Sequence, residues 1–256
     1  MRTFYREQKY VCGKNYIDIQ IFPVYPTAGK MRKVKRKPSS ETQARLNEEN
    51  AKKKLSRLVH TNFTKKDIAL TLTYDEDKLP ADIDSAKKDI QNFMRRLKRL
   101  YKKIKINIKY IWVLEESASG RIHFHVFASG GADRTEIENL WQKGYANSKS
   151  LRFTKDGVEG LVIYSLKSKP LTYRRWSCSK NLEKPYMPRP SDYKITRAKA
   201  KKLYTSSFDF KEFEKIYPDF SKTFKEYSLS QVNALYNEVN HEFYFNIKLY
   251  KTKFLL

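Results

Sequence analysis

The segment Ile122-His123-Phe124-His125-Val126-Phe127-Ala128 can adopt few structures. It is rich in β-branched and aromatic residues and holds no glycine or proline, so it reads as a strand. A second apolar run, Ile106 through Leu114 ending at Glu115-Glu116, precedes it, and only the polar Ser117-Ala118-Ser119-Gly120-Arg121 lies between. A connection that short joins antiparallel neighbours, because parallel strands need a much longer crossover. The middle of the chain is thereby committed to an antiparallel sheet.

A further strand is expected at Ile68-Ala69-Leu70-Thr71-Leu72-Thr73-Tyr74, which alternates and is ended by Asp75-Glu76-Asp77-Lys78-Leu79-Pro80. Asp84 or Ser85 is then placed to cap a helix whose apolar positions Ile90, Phe93, Met94, Leu97, Leu100 and Tyr101 follow helical spacing. Later helices are expected from Thr135 to about Lys143, stopped by Gly144, and from Gly157 through Tyr164 and Lys167 to the break at Pro170. Strands and helices in this order predict an α+β fold, a central antiparallel sheet with flanking helices.

Outside this region the patterning is weaker. Residues 1–60 contain a weakly alternating stretch at Tyr16–Phe22, the basic run Lys30–Lys37 and a Glu- and Lys-rich helical segment through Lys54, and read as a basic N-terminal arm. Residues 61–185 read as the compact domain. Residues 186–256, after Pro185, Pro188 and Pro190, read as a C-terminal extension with helices at Arg197–Tyr204 and Asp209–Tyr217 and a Tyr- and Phe-rich end. Those aromatics either stack on bases or pack against the main sheet.

Charge identifies the kind of partner. Lys and Arg total 53 against 28 Asp and Glu in 256 residues, a net charge of +25. Such an excess suits a polyanion, and nucleic acid is the commonest, because neutralised phosphates release counterions. The run 30–37 is either a solvated linker or a phosphate contact. The face Arg95, Arg96, Lys98, Arg99, Lys102 and Lys103 of the helix over 84–103 either lies along DNA or is a solvated surface. With no run of about 18 apolar residues and no apolar signal segment at the N-terminus, a soluble cytoplasmic protein without membrane contact is expected. Cys12 and Cys178 form no metal or disulfide pattern.

The chemistry concentrates at the histidines. His123 and His125 are two of only four in the chain, and residues two apart on a strand share a face. Both imidazoles can therefore meet one divalent ion while Phe124 enters the core. Glu115 or Glu116, across the hairpin, completes a two-histidine, one-carboxylate set suited to Mg²⁺ or Mn²⁺. Tyr164 and Lys167 share a helix face, so a phenol and an ammonium can reach one phosphate. A phenol of pKa about 10 is a poor nucleophile until deprotonated, a barrier that a nearby metal and cation lower.

The strand Ala69–Tyr74, the His-hydrophobic-His strand 123–125 preceded by Glu115, and the later Tyr164-x-x-Lys167 resemble, in order, the three motifs of the HUH endonuclease superfamily. Within it, the chain is similar to rolling-circle replication initiators of small circular single-stranded DNA phages and bacterial plasmids. The phrase Leu70-Thr71-Leu72-Thr73-Tyr74-Asp75-Glu76-Asp77-Lys78-Leu79-Pro80 resembles the microvirus-type replication proteins. The likeness covers roughly residues 65–185.

The resemblance implies an RRM-like HUH fold for residues 61–185. It further implies a divalent metal on His123, His125 and Glu115, and a nucleophilic Tyr164 that becomes joined to a 5′ phosphate and leaves a priming 3′ hydroxyl. Lys167 would steady the tyrosine or the phosphate. The implied partners are single-stranded DNA at a replication origin and the host's helicase and polymerase, in a bacterial cytoplasm. Position 168 is serine and the next tyrosine is Tyr173, beyond Pro170, so a single-tyrosine enzyme is expected. The alternatives are a single-tyrosine transposase or relaxase, and a non-catalytic nucleic-acid-binding protein.

Overall fold

The computed structural model describes residues 3–26, 40–117, 119–154, 157–165 and 176–251. The basic run 30–37, and Lys167, Ser168, Pro170 and Tyr173, lie outside the described residues. In chain order the elements are β1 (Phe4–Cys12), β2 (Tyr16–Val24), α1 (Ser40–Asn62), β3 (Ile68–Thr73), α2 (Ile83–Lys103), β4 (Tyr110–Glu116), β5 (Ile122–Ala128) and α3 (Arg134–Asn139). There follow β6 (Ala146–Ser150), α4 (Glu159–Tyr164), β7 (Trp176–Cys178), α5 (Arg197–Thr205), α6 (Phe210–Ile216), α7 (Phe220–Thr223), β8 (Tyr227–Asn237) and β9 (Glu242–Lys251). The fold is α+β with two antiparallel sheets, and the chain divides into two compact units.

One unit comprises Ala44–Phe153 and Val158–Glu183. Its five strands run in the order β6-β3-β5-β4-β7, with β5 central. The alternation that marks β3 and β5 in the sequence arises because two different cores cover the two sheet faces. On one face Leu70, Leu72, Trp112, Leu114, Phe124 and Val126 pack with the apolar stripe of α2, Ala86, Ile90, Phe93, Met94, Leu97 and Tyr101. On the other, Ile111, Val113 and Phe127 pack with Leu55, Leu58 and Val59 of α1, Phe63 just beyond it, and Val162 of α4. A strand covered on both sides loses alternation, and Tyr110 through Glu115 of β4 are all buried.

The hairpin of β4 and β5 forms as expected, but the first strand starts at Tyr110 rather than Ile106. The intervening Lys105 has φ 59° and ends the α2 exit turn. The cap of α2 is Asp82, not Asp84 or Ser85; its side chain accepts from the Ser85 amide at 2.6 Å. The helix expected over 135–143 ends at Asn139, because Trp141 is drawn into the core. There its ring is fully buried beside Tyr74, Phe93 and Phe124, and its Nε1–H donates to the Thr73 carbonyl at 2.7 Å. Gly144 serves close approach rather than helix termination. Its φ is +148°, and a Cβ there would lie 2.4 Å from the Asp75 amide nitrogen.

The second unit corrects the expected boundaries. It comprises Met1–Gln43, Thr154–Gly157 and Lys184–Leu256, and its sheet has the order β1-β2-β9-β8. Residues expected as an arm (1–60) thus supply two strands, and the end of the C-terminal extension (186–256) supplies the other two, with Tyr16 registered on Tyr250. The helices expected at 197–204 and 209–217 are present as α5 and α6, with Asp209 as the α6 cap. Ile17, Ile19 and Ile21 of β2 pack with Phe243, Phe245, Ile247 and Leu249 of β9 and with Phe213, Tyr217, Phe220 and Phe224 of α6, α7 and their flanks. The expected boundary at 60/61 also falls inside a packed helix: Leu55, Leu58 and Val59 bind α1 to the five-stranded sheet.

A Glu/His/His cluster beside an exposed tyrosine

Strand register assembles the site. Glu115 of β4 stands opposite His123 of β5, and Val113 opposite His125; from the other side Thr73 and Thr71 of β3 face the same two histidines. Directly opposed residues and residues two apart share a face, so Glu115, His123 and His125 converge on the side covered by α1 and α4. Phe124 points the other way, into the α2 core. Glu116 follows Glu115 by one residue and therefore leaves this face, so the pairing selects Glu115 from the two candidate carboxylates.

The Glu115 carboxylate oxygen Oε2 accepts from Nε2 of His123 at 3.0 Å and from Nε2 of His125 at 2.8 Å. The imidazole rings stand edge to face with centroids 5.1 Å apart. Glu115 and His125 are buried, and His123 is partly so. Burial pushes the His125 imidazole below its ordinary 6.5, against the hydrogen bond from Glu115, which favours the charged ring, while His123 adds to the lowering. A neutral imidazole is the form that ligates a metal.

The donor set fits a divalent ion. The three ligand atoms lie within 4.8 Å of one another, and neighbouring donors on an ion with bonds of about 2.1 Å stand about 3 Å apart, close to the separations found here. Two imidazoles and one carboxylate leave positions for other oxygen ligands. Among the described residues this is the only such group of three His, Cys, Asp or Glu side chains.

Tyr164 stands beside the cluster. It is the last residue of α4, its ring centroid is 5.6 Å from that of His125, and the side chain is 56% exposed. The helix expected to continue to Lys167 closes at Ser165, whose amide bonds the Leu161 carbonyl; Lys167 itself lies outside the described residues.

Three residues that the sequence did not single out hold α4 in place. His60 of α1 donates Nδ1–H to the Ser56 carbonyl at 2.9 Å and accepts the Val158 amide on Nε2 at 3.3 Å, at the start of α4. The Ser56 hydroxyl donates to the Glu159 carboxylate. Val162, one turn on, is buried among Leu55, Val59 and Val113. Ser56 and His60 share the face of α1 that carries Leu55, Val59 and Phe63, and a polar pair inside an apolar stripe was the available signal.

The basic face of α2 is less free than the sequence suggests. It lies across the sheet from the histidines. Arg96 is committed to the Leu140 and Trp141 carbonyls, and Lys98 lies 5.0 Å above the Tyr110 ring.

A Glu/His/His cluster on an antiparallel sheet within an α+β domain is the arrangement of HUH motifs. Residues 67–169, from the Ile68 strand to just beyond Tyr164, match the family of replication-associated proteins of the ORF2 type. This domain belongs to that family, among the rolling-circle replication initiators. No curated protein and no solved structure matches the chain. No helix among the described residues is long and apolar enough to cross a membrane.

Proposed function

We propose that the protein is a single-tyrosine DNA nicking and rejoining enzyme that starts rolling-circle replication at an origin. The reading rests on one observation: an exposed tyrosine, Tyr164, stands 5.6 Å from a histidine that shares one carboxylate with a second histidine. Glu115, His123 and His125 hold a divalent ion, Mg²⁺ or Mn²⁺, which polarises the scissile phosphate. Tyr164 loses its phenolic proton and its oxygen attacks phosphorus. The P–O3′ bond breaks, the 3′ oxygen takes up a proton and leaves as a hydroxyl, and the 5′ phosphate stays on the tyrosine. The phosphotyrosine ester conserves the bond energy, so a later attack by a 3′ hydroxyl rejoins the strand. Lys167, three residues on, serves as the cation beside the tyrosine or phosphate. The free 3′ hydroxyl goes to a host polymerase, with a host helicase opening the duplex, in the cytoplasm of a bacterial host.

The fixed α4 start contributes orientation. Anchoring by Ser56 and His60 limits the freedom of a nucleophile that is otherwise exposed, and orientation of this kind supplies a large part of a catalytic advantage. The test is cleavage of single-stranded origin DNA with Mn²⁺. Purified protein is expected to form a covalent adduct, and Tyr164→Phe to form none while retaining DNA affinity within about two-fold. An undiminished adduct in Tyr164→Phe overturns the assignment.

A further inference from the structure

The unit built from the chain's two ends carries a second feature with the chemistry of nucleic acid. A groove of about 610 Å³ opens between α5 and the β8–β9 hairpin, lined by Arg197, Lys201, Tyr204, Tyr236, His241 and Phe243 together with Ala198 and Thr205. Arg197, Lys201 and Tyr204 are spaced four and three residues apart and so share one face of α5. Across the groove Tyr204, Tyr236 and Phe243 form an aromatic cluster, with centroids 5.1 Å apart for Tyr236–Phe243, 5.2 Å for Tyr204–Phe243 and 6.4 Å for Tyr204–Tyr236. Tyr236 keeps 36% of its surface exposed.

The charges are complementary to phosphate. Two cations and no carboxylate line the groove. Lys201 makes no ion pair among the described residues, and the Arg197 side chain is 65% exposed even though it donates to the His241 carbonyl at 2.9 Å. The nearest acid of the hairpin, Glu242, lies 3.7 Å from the Arg197 Nε, but it is buried and takes the Tyr5 hydroxyl. His241 adds an independent sign. It adopts φ +54°, a left-handed conformation unusual for a non-glycine residue, and its Nδ1 meets the Tyr236 hydroxyl at 3.0 Å, which fixes the tyrosine ring at the groove.

We propose that this groove is a docking site for single-stranded DNA, with an unpaired base stacked on Tyr236 and the adjoining phosphates on Lys201 and Arg197. Aromatic faces accept any unpaired base, and flanking cations follow the backbone, which together give sequence-tolerant binding. The size suits a nucleotide-sized occupant. A duplex offers no free base face and gains only from the cations. The proposal is compatible with the nicking assignment of Tyr164 and does not need it, since holding the strand requires no cleavage.

The test therefore removes cleavage from the readout. Full-length Tyr164→Phe protein in EDTA is titrated into a fluorescein-labelled 20-nucleotide single strand of mixed sequence, with anisotropy as the signal. Adding Tyr236→Ala is expected to raise Kd about five-fold or more, the loss of one stacked base. Tyr236→Phe keeps the ring and is expected to stay within about two-fold, which separates stacking from any effect of losing the His241 contact. Lys201→Gln is expected to reduce the slope of log K against log salt by about 0.7, one phosphate contact on a single strand. Against a blunt duplex of the same sequence, Tyr236→Ala is expected to change Kd by less than two-fold. An unchanged single-strand Kd for Tyr236→Ala, an equal loss on the duplex, an equal loss from Tyr193→Ala at an exposed tyrosine outside the groove, or an unchanged salt slope for Lys201→Gln overturns the proposal.

Discussion

Replacing Glu115 by glutamine keeps the shape of the side chain and removes its charge. In the native site Oε2 lies 3.0 and 2.8 Å from the two imidazole nitrogens. An amide oxygen can still accept from them, so loss of the apoprotein's stability is limited to about 1–3 kcal/mol. Metal affinity suffers more. Changes one shell further out already cost 10- to 100-fold, so loss of a charged ligand is expected to cost about 100-fold or more. Thermal unfolding reads this directly. At a Mn²⁺ concentration of about 100 times the native Kd, binding stabilises the wild type by about 2.7 kcal/mol, or roughly 5–10 °C in Tm for a protein of this size. In Glu115→Gln the same concentration is at most about equal to Kd, and the gain falls to about 0.4 kcal/mol, roughly 1 °C. Glu116→Gln should keep the full upshift, because strand alternation turns Glu116 off the metal face. An upshift in Glu115→Gln equal to wild type refutes the ligand set, and its loss in Glu116→Gln refutes the register argument.

Two other perturbations address the scaffold. Gly144→Ala forces a Cβ to 2.4 Å from the Asp75 amide and 2.6 Å from the Thr73 carbonyl, both backbone atoms, at a φ that disfavours any side chain. The expected cost is about 2 kcal/mol or more, seen as a lower urea midpoint with unchanged m; an unchanged midpoint contradicts the close approach. His60→Leu keeps the bulk but leaves the Val158 amide unpartnered at the start of α4, a cost of about 1–3 kcal/mol. The rate of adduct formation should drop while the Mn²⁺ upshift persists, because the metal ligands stand on β4 and β5; equal loss of both would assign His60 a general structural role.

What the sequence disclosed follows from where the information resides. The histidine pair, Glu115 and the β4–β5 hairpin were legible because period-two alternation and a five-residue connection are local properties. The stripe of α2 was legible for the same reason at helical spacing. The four-stranded sheet was not, since β2 meets β9 across more than two hundred residues and β8 carries the polar, mostly exposed sequence Tyr-Ser-Leu-Ser-Gln-Val-Asn-Ala-Leu-Tyr-Asn. Strand β6, Ala-Asn-Ser-Lys-Ser, has no strand-forming residue to announce it and exists by pairing with β3. Helix α1 hid its role because its early part is charged and only Leu55, Leu58, Val59 and the following Phe63 reach the sheet. The link from His60 to Val158 joins residues 98 apart through a backbone amide, which no side-chain pattern reveals.

The central claim is that Tyr164 is the nucleophile of a metal-assisted strand transfer. Incubating the protein with Mn²⁺ and a single-stranded origin oligonucleotide, digesting both components and sequencing the nucleotide-bearing peptide by mass spectrometry tests it most directly. The expected product is a nucleotide linked through its 5′ phosphate to Tyr164, absent in EDTA and in Glu115→Gln. A nucleotide on another tyrosine, or attachment that persists without metal, contradicts it.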